Sequence, residues 1–129
     1  MNRYVNLSDS FFITKNDQKF IDFIKKDIKP INCLNIFSND IAIFYLVKNT
    51  SCSRFYFPAT IGSLKNQKEM IIDLQNSNYL IYGGNFDQDI ITHKFALTLK
   101  KKYPLIDKYI NENFFEINEI GHRKILKKL

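Results

Sequence analysis

Ile31-Asn-Cys-Leu-Asn-Ile-Phe37, Cys52-Ser-Arg-Phe-Tyr-Phe-Pro58 and Tyr79-Leu-Ile-Tyr-Gly-Gly84 are three short apolar runs within one stretch, Ile31 to Asn85. Their β-branched and aromatic residues suit a pleated surface, and polar or glycine-containing residues follow each run. They predict strands over 31–37, 54–57 and 79–82. Helical spacing fills the gaps between them. Ile41, Phe44, Tyr45 and Val47 predict a short helix over 40–48. Met70, Ile71 and Leu74 form the apolar stripe of a second over 64–76, with Gln67, Lys68, Asp73 and Gln75 facing outward. Strands that alternate with helices imply parallel, right-handed crossovers. The expected fold is therefore α/β, a three-layer Rossmann-like sandwich with a mainly parallel sheet.

Upstream, Thr14 and Asp17 have the spacing of a capping box, with Asn16 as a rival cap. Phe20, Ile21, Ile24 and Ile28 recur at helical spacing, and Pro30 stops the pattern, so a helix is predicted over 16–28. Residues 1–13 read as an N-terminal extension of a single domain, 1–129. Downstream, Ile91, Phe95, Leu97 and Leu99 predict a helix over 90–102, and Pro104 opens another over 104–112. Phe114 to Ile120 alternates as a half-buried strand. Gly121-His122 is the turn into a last strand, Arg123 to Leu126, which completes a C-terminal antiparallel hairpin.

The chain has 129 residues, 45% of them apolar, 25% charged and 15% aromatic, with a net charge of +6. That composition suits one globular domain. Lysine clusters stand at 100–102, 123–124 (as Arg-Lys) and 127–128. They suit an anionic surface, but a solvated lysine-rich exterior explains them better. Arginine, the better residue for bidentate phosphate contacts, is scarce, so a nucleic-acid partner is not expected. The longest apolar run, Ile41 to Val47, is far short of the roughly 18–20 residues that cross a bilayer. The first residues carry no signal-peptide core.

Candidate ligand-binding residues follow from the expected sheet, because open parallel sheets bind ligands beyond the carboxyl ends of their strands. They are Ser38, Asn39 and Asp40 after the first strand, Thr60 after the second, and Gly83, Gly84, Asn85 and Asp87 after the third. Gly83-Gly84 is not a phosphate-binding fingerprint: no capped helix start follows directly. Arg54 either binds an anion or reaches solvent or a nearby carboxylate. His93 and His122 lack partners at metal-ligand spacing, and Asp87 and Asp89 read as loop residues. Ser38 and Ser63 read as helix caps. No catalytic residue, metal or cofactor is expected. Cys33 and Cys52 lie near two strand starts. Reduced thiols and a disulfide are both open readings.

From Ile31 to Leu126 the order of features resembles the soluble C-terminal domain of membrane-embedded GT-C glycosyltransferases, the bacterial dolichyl-phosphate-mannose protein mannosyltransferase-like group. The residues that carry the resemblance are Asn39-Asp-Ile-Ala-Ile-Phe-Tyr-Leu46, Ser53-Arg-Phe-Tyr56, Gln67-Lys-Glu-Met-Ile-Ile-Asp-Leu74, Tyr79-Leu-Ile-Tyr82 and Tyr109-Ile-Asn-Glu-Asn-Phe114. The family's catalytic acids lie between membrane helices that this sequence does not contain, so none carries over. The resemblance implies a non-catalytic domain on the extracytoplasmic face of a bacterial membrane. Its implied partners are the membrane core of the same polypeptide or the membrane surface, and a lipid-linked sugar or its acceptor. It also favours a disulfide, because that compartment is oxidising. The alternative is a stand-alone, cytoplasmic α/β module that binds a small ligand.

Overall fold

Thr14 starts the first helix, α1, Lys15–Asp27, through the predicted capping box: its Oγ1 accepts from the Asp17 amide at 3.1 Å, and Asp17 Oδ2 accepts from the Thr14 amide at 2.9 Å. The Phe20, Ile21, Ile24 and Ile28 stripe is buried. A computed structural model of the chain describes residues 13–28, 33–37, 46–55, 61–83, 102–121 and 123–129. It divides into two units, Met1–Pro30 and Ile31–Leu129. The second unit holds the sheet.

Its described elements are β1 Asn35–Phe37, α2 Leu64–Gln75, β2 Tyr79–Gly83, α3 Pro104–Asn113, β3 Phe114–Ile120 and β4 Arg123–Lys128. Ser63 caps α2, its Oγ accepting from the Asn66 amide at 3.1 Å. Pro104 opens α3 at a position where its missing N–H has no helical partner to lose. Gly121, at φ +63, makes the β3–β4 turn that a residue with a Cβ would strain.

The four described strands form one sheet in the order β1-β2-β4-β3. β1 and β2 are parallel, whereas β2–β4 and β4–β3 are antiparallel. The α/β class therefore holds, but the expected mainly parallel, three-layer arrangement is corrected to a mixed and mostly antiparallel sheet. Two physical reasons account for the difference. The run expected over 54–57 supplies no strand among its described residues, Arg54 and Phe55. Ser51 Oγ accepts from the Ser53 amide and Ser53 Oγ from the Phe55 amide, each at 3.1 Å, so side chains take the amides that a ladder needs. Among the described residues of this segment, Ser51 alone bridges, to Leu34. The second reason is that β4 lies inside the sheet. Ile125 and Leu126 are both buried, one on each face, as suits an interior strand.

Register assigns the two faces. Asn35, Leu80, Leu126 and Glu116 stand in one row, and Ile36, Ile81 and Ile125 in the next, so the rows point to opposite faces. On the first face Phe37, Leu80, Phe114 and Leu126 form a core with Met70 and Leu74 of α2 and with Tyr103, Ile106 and Ile110. On the other, Ile36, Ile81 and Ile125 are at most 2% exposed. α2 and α3 are tied by Gln67, whose Oε1 accepts from the Leu105 amide at 3.1 Å. That bond satisfies an N–H that the start of a helix leaves open. Gln67 was expected to face outward, yet it is 3% exposed.

β3 departs from its expected half-buried alternation. Only Phe114 is buried, and Phe115 and Ile117 are 45% and 38% exposed. β3 is the outer strand, and a register shift between Glu116 and Asn118 places Ile117 in a bulge. At the other end of the sheet, Cys33 and Cys52 form a disulfide with Cα atoms 5.0 Å apart. The Leu34 amide donates to Thr50 O at 2.8 Å and the Cys52 amide to Leu34 O at 3.0 Å, which hold the two cysteines side by side. Of the two readings left open by the sequence, the structure takes the disulfide.

Candidate functional site

Asp107, Ile110 and Asn111 lie three and four residues apart on α3, hence on one helical face. Opposite them stand Tyr82 of β2, Phe114 and Glu116 of β3, and Lys124 and Leu126 of β4. Register explains this grouping: Tyr82 pairs with Lys124, and Glu116 with Leu126, so all four point to the α3 side. Together the eight residues line a pocket of about 280 Å³ beside the carboxyl end of β2. Its size is close to the lower end, roughly 300 Å³, of small-molecule sites.

Ile110, Phe114 and Leu126 give the pocket an apolar floor. Polar groups rim it. Lys124 Nζ lies 3.1 Å from Glu116 Oε2. That hydrogen bond, and the charge of Glu116 with a smaller contribution from Glu119, raise the Lys124 pKa. Asn111 Nδ2 donates to Asp107 Oδ2 at 3.3 Å. Two carboxylates against one ammonium leave the rim with one negative charge, on a chain whose total is +6. Such a rim offers acceptors from Asp107 and Glu116, and both donors and acceptors from Asn111 and the Tyr82 hydroxyl.

A shallower hollow is lined by Arg54, Glu69, Ile72 and Asp73. The Arg54 guanidinium forms an ion pair with Glu69 and lies 4.5 Å above the Phe55 ring. Its positive charge already has a carboxylate partner. Among the described residues no group of three or more His, Cys, Asp or Glu side chains could hold a metal ion.

Two of the sequence candidates are described. Arg54 stands against α2, and Gly83 ends β2 opposite Arg123, next to the Tyr82–Lys124 pair at the pocket rim. Ser38, Asn39, Asp40, Thr60, Gly84, Asn85 and Asp87 lie outside the described residues, as do Asp89, His93 and His122. Asp107, Asn111, Glu116 and Lys124 were not singled out from sequence. The signal for the first two was the i, i+4 spacing on a helix, and for the others opposite charges across a hairpin. Neither pointed to a cavity without the pairing of β4 with β2, which sets this hairpin against α3.

No described helix is long and apolar enough to cross a membrane. No protein-family model matches the chain, and no curated protein or solved structure matches it.

Proposed function

We propose that this chain is a non-catalytic, extracytoplasmic binding domain of a membrane glycosyltransferase-like protein, and that the pocket between α3 and the β3–β4 hairpin takes the sugar acceptor. The observation that carries this reading is the pocket rim. Carboxylates, an amide and a phenol beside apolar side chains suit a neutral polyhydroxylated ligand, whose hydroxyls both donate and accept. The net negative rim repels phosphate, so the acceptor suits it better than a lipid-phosphate sugar donor. The Cys33–Cys52 disulfide supports the compartment, because such bonds persist where the medium is oxidising. The sequence resemblance from Ile31 to Leu126 suggests the parent class.

Titration followed by amide NMR tests the site. Neutral methyl glycosides are expected to shift the Asn111, Glu116 and Lys124 signals, and an alkyl phosphate is expected to leave them in place. Asp107→Asn combined with Asn111→Ala should remove the glycoside response while the rest of the spectrum stays unchanged. A response to phosphate alone, or none to any glycoside, would sink the acceptor reading. A stand-alone ligand-binding module would use the same pocket. The two readings part on whether the natural protein stays with membranes after high-salt and alkaline carbonate washing.

A further inference from the structure

The outer edge of the sheet separates its charges by face. Glu116 and Glu119 of β3 lie on the α3 side, where both act on Lys124. On the opposite face, Tyr79, Lys127 and Phe115 stand in one row across β2, β4 and β3. Lys127 is exposed there and Phe115 is 45% exposed; Ile117, in the register shift between Glu116 and Asn118 of the same strand, is 38% exposed. Leu129, 81% exposed, follows directly after β4. A phenyl ring, a phenol, two aliphatic side chains and a lysine thus share an edge whose acidic neighbours point away.

We propose that this edge, centred on Phe115, Ile117 and Lys127, docks on an anionic lipid bilayer. Aromatic and branched side chains enter the boundary between headgroups and acyl chains, and a flanking lysine lays its stem along the apolar surface with its ammonium among the phosphates. The net charge of +6 draws the whole chain to such a surface. A neutral or basic partner surface would leave Lys127 without a complement, whereas lipid phosphate supplies one. The proposal gives the membrane partner named above a defined contact surface, and it does not depend on what the pocket binds.

Cosedimentation with phosphatidylcholine vesicles, with and without phosphatidylglycerol, is the test. Binding is expected only with the anionic lipid. Lys127→Gln should weaken it roughly fivefold. Phe115→Ser with Ile117→Ser should weaken it at least tenfold, since two apolar side chains no longer leave water. Far-ultraviolet circular dichroism checks that the variants stay folded; both positions are exposed, so loss of fold is not expected. Lys127→Gln, which removes no core contact, keeps the test valid if the serine variant unfolds. Glycoside titration of the serine variant should match the unchanged protein, which separates this contact from the pocket. Absence of binding to anionic vesicles, or equal binding by the variants, would overturn the proposal. So would a dimer in solution that Phe115→Ser splits, because a second copy would then cover the edge.

Discussion

Gln67 does the work of a cap from inside the core. Its carbonyl oxygen reaches across from α2 to the Leu105 amide at the start of α3, and Tyr103, the residue before Pro104, makes no side-chain cap there. Gln67→Met keeps the volume and removes the acceptor, leaving a part-buried N–H unsatisfied. The expected loss is about 1–3 kcal/mol, read as a lower melting temperature with unchanged far-ultraviolet dichroism. Among the described residues, two other side chains bear on stability at alkaline pH. Burial raises the Tyr103 pKa above 10.0, so the folded state holds that proton more tightly than the unfolded one. Its contribution is intact below pH 10 and is lost as pH climbs through the raised value. Lys124 acts in the same direction: its pairing with Glu116 raises its pKa above 10.5, and the benefit present below that pH disappears above it. Lys124 is 41% exposed, so its share is the smaller. Stability should fall at alkaline pH through both groups. Tyr103→Phe should flatten that fall in a series of melts, and Glu116→Gln should flatten it only slightly. An unchanged alkaline limb in Tyr103→Phe would remove Tyr103 from this role.

At the scale of elements, the disulfide is the one cross-link the chain's two cysteines can make with each other. Cys33 and Cys52 are 19 positions apart, and closing a loop of that size is worth about 3 kcal/mol of unfolded-state entropy. Reduction, or the double Cys→Ser change, should lower the melting temperature by on the order of 10 °C. Mass measurement of the untreated protein should be two hydrogens lighter than after reduction; equal masses would show that the bond is not made. Gly62 offers a narrower test of backbone conformation. Its φ is +57, and a Cβ built there meets nothing within 4 Å. Gly62→Ala should therefore cost only the left-handed backbone, about 1 kcal/mol. Three helices and the strands β2, β3 and β4 were legible, whereas the helices expected over 40–48 and 90–102 lie largely outside the described residues. Thr14, Ser63 and Pro104 mark the starts of the three helices by local chemistry, and α1, α2 and α3 fall within a residue of the spans read from sequence. The segment Ser53–Phe55 was not legible as a turn, because aromatic residues suit strands and the competing hydrogen bonds of Ser51 and Ser53 show only in three dimensions.

At the scale of the whole molecule, topology is what local pattern left unread. β1 and β2 each read as a short apolar run, which suits a parallel sheet and an interior antiparallel position alike. The deciding partner, β4, begins forty positions after the end of β2, and its Arg-Lys-Ile-Leu-Lys-Lys sequence shows only two apolar residues. Its place between β2 and β3 built the pocket and turned Phe115 outward; neither consequence can be read from the runs between Ile31 and Asn85. The same arrangement predicts how stability is distributed. β2 and β4 each have hydrogen-bonded neighbours on both sides, and Leu80, Ile81, Ile125 and Leu126 bury side chains on both faces. β3 has one described neighbour, a bulge and a mostly exposed row of side chains. Amide hydrogen exchange should be slowest at Leu80, Ile81, Ile125 and Leu126, opening there only with global unfolding. It should be faster from Glu116 to Glu119, where the outer strand opens by itself. Because β4 joins β3 to the rest of the sheet, removing Arg123–Leu129 should abolish protection in β2 as well as β3. Retained protection at Leu80 and Ile81 in that truncation would mean that the parallel β1–β2 pair is stable without its antiparallel partner.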